Sequence, residues 1–295
     1  MQIINFDKSY TKKLYEFIKN AKPHGYIDWI FEYDFFKNSI NFKKNDPSKS
    51  LILIFSDQSK KLISGYCLIE NKIGLGYSQL NLFLRDENYS NITQIINFLK
   101  KNSKITTQNI ILASNSKEKT LTKYLRECNW KEVRKFYKLE KILPVNLNIK
   151  INEKFNIVKL EEKYSKELTD LQNSAFRDHW GYEKNIPKEI REEILNKHNL
   201  FFIHRSKDKS ILGYIWIKQT QKSTSKINML GIDPDYTGMG LGKYLLYYAL
   251  KHQIANGQEK VILDVDSKNL KARKLYENFG FKQYLSLTWW EKKLD

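Results

Sequence analysis

The sequence predicts an α/β (α+β) fold built as two tandem copies of one unit. Three observations carry this: a length of 295 residues, strand-like runs that alternate with runs of helical period, and matches between the two halves at one offset. A compact domain usually holds about 100–200 residues, so two units of similar size are expected. Hydrophobic content of 41% and aromatic content of 14% suffice for a core in each half, and no long stretch is polar enough to suggest disorder.

In the first half, Leu51-Ile52-Leu53-Ile54-Phe55 and Ile63 to Ile69 read as adjacent strands across the polar turn Ser56 to Lys61. In the second half, Leu200-Phe201-Phe202-Ile203 and Ile211 to Ile217 repeat that pattern across Arg205 to Ser210. Both second strands contain Gly-Tyr, at Gly65-Tyr66 and Gly213-Tyr214. Another strand follows each, near Leu80 to Leu84 and Ile227 to Ile232, and then a stretch of helical period, Ile92 to Leu99 and Leu241 to Leu250. Downstream, Ile111-Leu112 corresponds to Ile262-Leu263, Asn115-Ser116-Lys117 to Asp266-Ser267-Lys268, and Cys128-Asn129-Trp130 to Phe279-Gly280-Phe281. One offset serves these pairs, since 262 − 111 = 151 and 281 − 130 = 151. A persistent offset favours duplication over two unrelated domains with similar strands. The copies are expected at 1–145 and 150–295, joined near Pro144 to Asn152.

Lys plus Arg exceed Asp plus Glu by 51 − 33 = 18. Such a field attracts anions, but the basic residues are scattered lysines and no DNA- or RNA-binding motif accompanies them, so nucleic acid is not an expected partner. A phosphate-rich ligand would gain from the same field. No run of about 18 apolar residues is present, and Met1 to Lys8 lacks the blocks of a signal peptide, so the expectation is a soluble, cytoplasmic protein without a membrane partner. The two cysteines, Cys67 and Cys128, fall one in each of a strand and a helix end, which reads as free thiols rather than a disulfide or a metal site.

The turn Thr237-Gly238-Met239-Gly240-Leu241-Gly242 follows a strand and Asp233-Pro234-Asp235, and precedes the amphipathic run from Lys243 to Leu250. Such a turn opens on a helix N-terminus, where backbone N–H groups lack intrahelical partners and missing β-carbons let a large anion approach. The expected ligand is a phosphate or pyrophosphate. Lys243 either adds a charge-assisted contact or is solvated. A dinucleotide fingerprint fails, because its last glycine would fall on Lys243 or Leu245. A Walker P-loop fails as well, with Thr237 in place of its first glycine and Tyr244 in place of its Ser or Thr. A tight strand-to-helix turn without a ligand is the remaining alternative for this segment alone.

Between Val261 and Phe281 the chain combines a strand, Asn269, a helix, and Gly280 ending that helix before an aromatic strand start. With the glycine turn, this segment resembles the GNAT superfamily of acyl-CoA-dependent N-acyltransferases. The signature R/Q-x-x-G-x-G/A falls on 237–242, with Thr237 replacing Arg or Gln. The second, roughly N-x-x-A-x-x-L-Y-x-x-x-G-F, falls on Asn269, Ala272, Leu275, Tyr276, Gly280 and Phe281. The resemblance implies tandem domains, each a mixed, mostly antiparallel sheet flanked by helices. It implies acetyl-CoA as co-substrate, with no metal, and a primary amine of a small molecule or peptide as acceptor. The pantetheine would pair with Leu230-Gly231-Ile232, and the pyrophosphate would lie on the amides of Gly238 to Lys243, Met239 and Leu241 included.

Direct attack by an amine needs a base, donors for an oxyanion, and an acid for the thiolate. Tyr276 matches the family's acid, or else packs against the cleft. Asn269 matches a cofactor or loop contact, or else caps its helix. The proton acceptor is expected to be Asp264 or His179. The cluster Asp178-His179-Trp180, within Phe176 to Tyr182, resembles the acceptor loop of tandem relatives such as mycothiol synthase. The first copy has Arg85 to Asn91 where the glycine turn should be, Glu118 for Asn269 and Leu125 for Tyr276, so one CoA site per chain is expected. The alternative is a CoA-binding regulatory or scaffold protein whose catalysis has decayed.

Overall fold

The computed structural model describes residues 1–21, 47–56, 62–85, 87–143, 147, 156–196, 199–205, 210–221 and 223–294. Most of both polar turns between paired strands, Asp86, and the expected linker near Pro144 to Asn152, apart from Leu147, lie outside these residues. The chain divides into two compact units: Met1–Phe136 with Leu285–Asp295, and Tyr137–Tyr284.

In the first unit, strands β1 (Gln2–Asn5), β2 (Leu51–Phe55), β3 (Ile63–Lys72) and β4 (Tyr77–Leu84) pair antiparallel in succession. Strand β5 (Asn109–Asn115) then joins β4 in parallel. A parallel neighbour demands a crossover, and the helix α3 (Ile92–Lys101) supplies it. The remaining helices are α1 (Thr11–Ala21), the single turn α2 (Pro47–Ser50) and α4 (Lys119–Glu127). Every residue of β2 is buried because the two faces of the sheet are both covered. Leu51, Leu53 and Phe55 pack with Leu14, Phe17 and Ile18 of α1, whereas Ile52 and Ile54 join Ile92, Ile95, Leu121 and Leu125 of α3 and α4.

The second unit repeats this plan with β7 (Ile157–Lys159), β8 (Asn199–Arg205), β9 (Ile211–Gln221) and β10 (Thr224–Ile232), antiparallel in succession. Strand β11 (Lys260–Asp266) lies parallel to β10 after the crossover helix α7 (Leu241–Ala255). Helices α5 (Ser165–Ala175) and α6 (Pro187–Leu195) belong to the core that covers one face of the sheet, with Tyr214 and Ile203. Helix α7 sits in the core on the other face, and α8 (Leu270–Asn278) contributes Tyr276 to it. Each unit is thus a mixed, mostly antiparallel sheet flanked by helices.

Element bounds carry the repeat. Strands β5 and β11 differ by 260 − 109 = 151 at their starts, and α4 and α8 by 270 − 119 = 151. The strands β6 (Lys131–Ile142) and β12 (Lys282–Lys293) also differ by 282 − 131 = 151. Yet the halves of the repeat, 1–145 and 150–295, and the compact units are not the same division. From Leu285 onward β12 belongs to the first unit, antiparallel to β5 from Leu287–Asn115 to Lys293–Asn109. From Tyr137 onward β6 belongs to the second unit, beside β11. Rising numbers on β6 meet falling ones on the neighbour, in the ion pairs Lys138–Asp264 and Lys260–Glu140 and the bond from Leu143 N to Glu259 O, so this pair is antiparallel. Each sheet is completed by the closing strand of the other half.

Among the described residues no helix is long and apolar enough to cross a membrane. Both cysteines are free, Cys67 buried in β3 and Cys128 half-buried after α4. The exchanged strand β12 is anchored by Trp290, which is 3% exposed and donates its indole N–H to Ser114 Oγ at 2.9 Å. Truncation of a buried tryptophan costs about 3–5 kcal/mol. Trp290→Ala is expected to raise hydrogen exchange across β5 far more than across β9, which mass spectrometry of the two peptides would measure.

Candidate functional site

Strands β10 and β11 part early. Their parallel pairing runs from Thr224–Lys260 to Ile227–Leu263 and stops, although β10 continues to Ile232 and β11 to Asp266. On its other edge β10 stays paired with β9 as far as Ile232–Gly213, with an irregularity between Ile227 and Met229. Backbone groups of β10 beyond Ile227 that point away from β9 therefore face a cleft rather than a strand. Leu230, Gly231 and Ile232 lie on this free edge.

The cleft ends at the start of α7. Gly238 and Gly240 adopt left-handed backbone, with φ of 86° and 87°, and a β-carbon on either would meet nothing within 4 Å. Side chains are disfavoured there by backbone conformation, while the space above the turn stays open. The first intrahelical bond runs from Tyr244 N to Gly240 O, so the N–H groups of Leu241, Gly242 and Lys243 precede it. Leu241 is buried in the core beneath, whereas Met239 and Lys243 are exposed. Thr237, in place of the family's Arg or Gln, donates its hydroxyl to Pro234 O at 3.2 Å. It thus serves the turn. Asp233 does the same by accepting from Asp235 N at 3.0 Å.

The structure brings the loop from Phe176 to Tyr182 to the strand edge through two aromatic rings. A β-carbon on Gly231 would fall 2.4 Å from Tyr214 Cε1 and 3.0 Å from Phe176 Cε2, so only glycine fits under them. Phe176 in turn packs against His179, ring centroids 4.7 Å apart and planes tilted by 49°. His179 and Asp178 are exposed and Trp180 half-buried. The loop is held by Asn173, whose Oδ1 accepts from Tyr182 Oη and Asn185 N, both at 2.9 Å. Sequence reasoning singled out His179 but missed Phe176 and Tyr214 as its link to β10. The repeated Gly-Tyr at 213–214 was the available signal.

Asn269 caps α8, accepting from Ala272 N at 3.0 Å. Tyr276 is 7% exposed and packs edge-on against Phe281, centroids 5.7 Å apart. Burial pushes its phenol up, which keeps the proton in place at neutral pH. Asp264 differs from the expected free base. Its Oδ1 pairs with Lys138 Nζ at 3.1 Å and its Oδ2 with Lys226 Nζ at 2.8 Å. Burial works to raise this carboxyl, but Lys226 and Lys138 outweigh it and hold it below the ordinary value. A carboxylate so held is a weak proton acceptor, and both its oxygens are engaged. Lys138 escaped the sequence reading because it arrives on the exchanged strand β6.

Residues 165–281, within the second unit, match the acetyltransferase (GNAT) family. The chain is similar to the mycothiol acetyltransferase of Stackebrandtia nassauensis, 30% identical over 135 residues, which cover 43% of this chain and 44% of that protein. It is 39% identical over 82 residues to the mycothiol acetyltransferase of Beutenbergia cavernae, covering 28% of each. The chain thus spans less than half the length of these curated relatives. Among solved structures, a tandem GNAT protein from the clavulanic acid biosynthesis pathway superposes with a TM-score of 0.76 at 11% identity, over 99% of this chain and 98% of its own. A GCN5-related N-acetyltransferase from Sphaerobacter thermophilus gives 0.72 at 11% identity, over 99% and 95%. Both units therefore have the tandem GNAT fold.

The two ammonium groups are buried but Asp264 itself is open to solvent, which screens the pairs. Asp264→Asn is expected to lower stability by about 1–2 kcal/mol, between the cost of an exposed and of a buried pair, read by urea denaturation of the full chain. With its carboxyl held low, the contribution of Asp264 is present above its ordinary value of 3.8 and is lost as pH falls through the depressed one. The difference between wild type and variant should therefore shrink as pH falls below 3.8.

Proposed function

We propose that the second unit transfers an acetyl group from acetyl-CoA to a primary amine of a small molecule or peptide. The observation that carries this reading is the free edge of β10 running into a helix N-terminal turn with two left-handed glycines. An extended amide-bearing arm suits the first feature and a pyrophosphate suits the second, and CoA joins the two in one molecule. Acetyl-CoA supplies a thioester, whose carbonyl carbon an amine attacks directly.

This chain's residues then have separable tasks. The amides of Gly238 to Lys243 hold the pyrophosphate, and Leu230-Gly231-Ile232 pairs with the pantetheine. Tyr276 delivers a proton to the departing thiolate. His179, packed against the Phe176 ring that lies over Gly231, takes the proton of the attacking ammonium, directly or through water. Asp178 and Trp180 border the acceptor. We take the protein as cytoplasmic, and its free cysteines are compatible with a reducing compartment.

The first unit has no equivalent site in this reading. Glu118, in the place of Asn269, accepts from Asn115 N at 2.7 Å, and Leu125, in the place of Tyr276, is fully buried. A carboxyl at that position repels phosphate.

Calorimetric titration is expected to find one CoA per chain; two equivalents would contradict the assignment of a single site. Gly240→Glu puts bulk and negative charge over the turn and should abolish CoA binding with the fold intact by circular dichroism. Wild-type affinity in that variant would remove the basis for the cradle. Tyr276→Phe should lower kcat by about a hundredfold or more while changing CoA affinity little, as expected for a general acid.

A further inference from the structure

The sheet face that carries Gly231 has a floor made almost wholly of hydrogen-bond donors where β10 and β11 part. Lys226 on β10 stands directly opposite Lys218 on β9, and Met229 opposite Trp216. Directly opposed residues share a face, so Lys218, Lys226 and Trp216 look out on the same side as Tyr214 and Gly231. Asp264 reaches this face from β11, one residue beyond the last paired position, and Lys138 reaches it from β6. The Trp216 Nε1–H is buried with no acceptor among the described residues, while its ring stacks on Phe201 at 4.9 Å. A buried donor of this kind calls for a partner.

The carboxylates nearby are already engaged. Asp264 uses one oxygen for Lys138 and the other for Lys226. Farther along β11, Glu140 pairs with Lys260 at 3.7 Å, and Asp266 accepts from Lys268 N at 2.9 Å. Asp264 brings one negative charge to the three ammonium groups of Lys138, Lys226 and Lys218, and like charges opposed across a sheet repel, so an excess of positive charge remains where the strands part.

We infer that the acceptor of this transferase carries an anionic group, a carboxylate or phosphate a few bonds from its amine, bound by Lys138, Lys226 and Lys218 with the Trp216 N–H. Asp264 acts as a positioning residue that holds two of these ammonium groups in place. The inference rests on the proposed acetyl transfer, because that reading sets the amine beside the same strand divergence. It also gives the lysines a second effect. Cations close to the incoming ammonium favour loss of its proton, which eases attack without a strong base.

The test uses the full chain saturated with CoA and four small amines: β-alanine, O-phosphoethanolamine, ethanolamine and putrescine. Binding is followed by ligand-observed NMR, and acetyl-CoA turnover by thiol release. The expected result is binding and turnover of β-alanine or O-phosphoethanolamine above ethanolamine, with putrescine weakest. Whichever of the first two leads identifies carboxylate or phosphate as the anion. Lys138→Gln should weaken that probe by about tenfold, the scale of one charge-assisted hydrogen bond, with CoA affinity unchanged. Lys138→Arg should restore most of it, and Lys218→Gln should repeat the loss without touching the Asp264 ion pairs. Equal or better binding of putrescine, no binding of either anionic probe, or an equal loss for all four amines in Lys138→Gln would overturn the inference. Failure of CoA to bind would instead overturn the acetyl-transfer reading, whatever the anions do.

Discussion

Where β10 leaves β11 after Ile227, a row of main-chain donors and acceptors loses its strand partner while the opposite edge stays bound to β9. Unpaired backbone is tolerated only where water or a ligand can replace the missing strand. That constraint organises the second unit. It leaves an extended slot along β10, the strand that leads into the glycine turn at the head of α7. Gly231 shows how closely the opening is built over, since the rings of Tyr214 and Phe176 leave no room for a β-carbon. The loop carrying His179 rests on that same Phe176.

The exchange of closing strands ties this site to the first copy. Lys138, one of the two cations on Asp264, belongs by repeat to the first half and by packing to the second unit. A half without the glycine turn thus contributes a strand and a charged side chain to the second unit. Reciprocally, Trp289 and Trp290 of the second half are buried in the first unit. Retention of a degenerate first copy follows from this pairing. Deleting it would remove the sixth strand of the sheet that holds the site.

The repeat, the strand and helix order and the glycine turn were legible because they depend on local chemistry: alternation, glycine at forced positions, and an apolar helix face. Even the departure at Thr237 was visible, and the structure supplies its use, a hydroxyl closing the turn on Pro234. Partnerships between distant segments were not legible. Nothing near Asp264 in the chain announces Lys138 or Lys226, so a strand-borne aspartate read as a free base turns out to be an ion-paired one. Likewise the boundary between repeats could be read from an offset, but not the fact that β6 and β12 cross it, because strand pairing is a long-range choice with no local mark.

Environment, rather than residue type, separates the ionisable groups around the cleft. Asp264 is held anionic by Lys226 and Lys138 against the effect of burial, whereas burial raises the Tyr276 phenol, which an ordinary value near 10 already leaves protonated at neutral pH. A carboxylate that resists protonation is suited to hold cations in place. In the proposed transfer, Tyr276 meets the charge that leaves and Asp264 fixes the positive field in which the amine arrives. The proposed proton acceptor, His179, is exposed and held against Phe176, whose ring lies over Gly231 of β10.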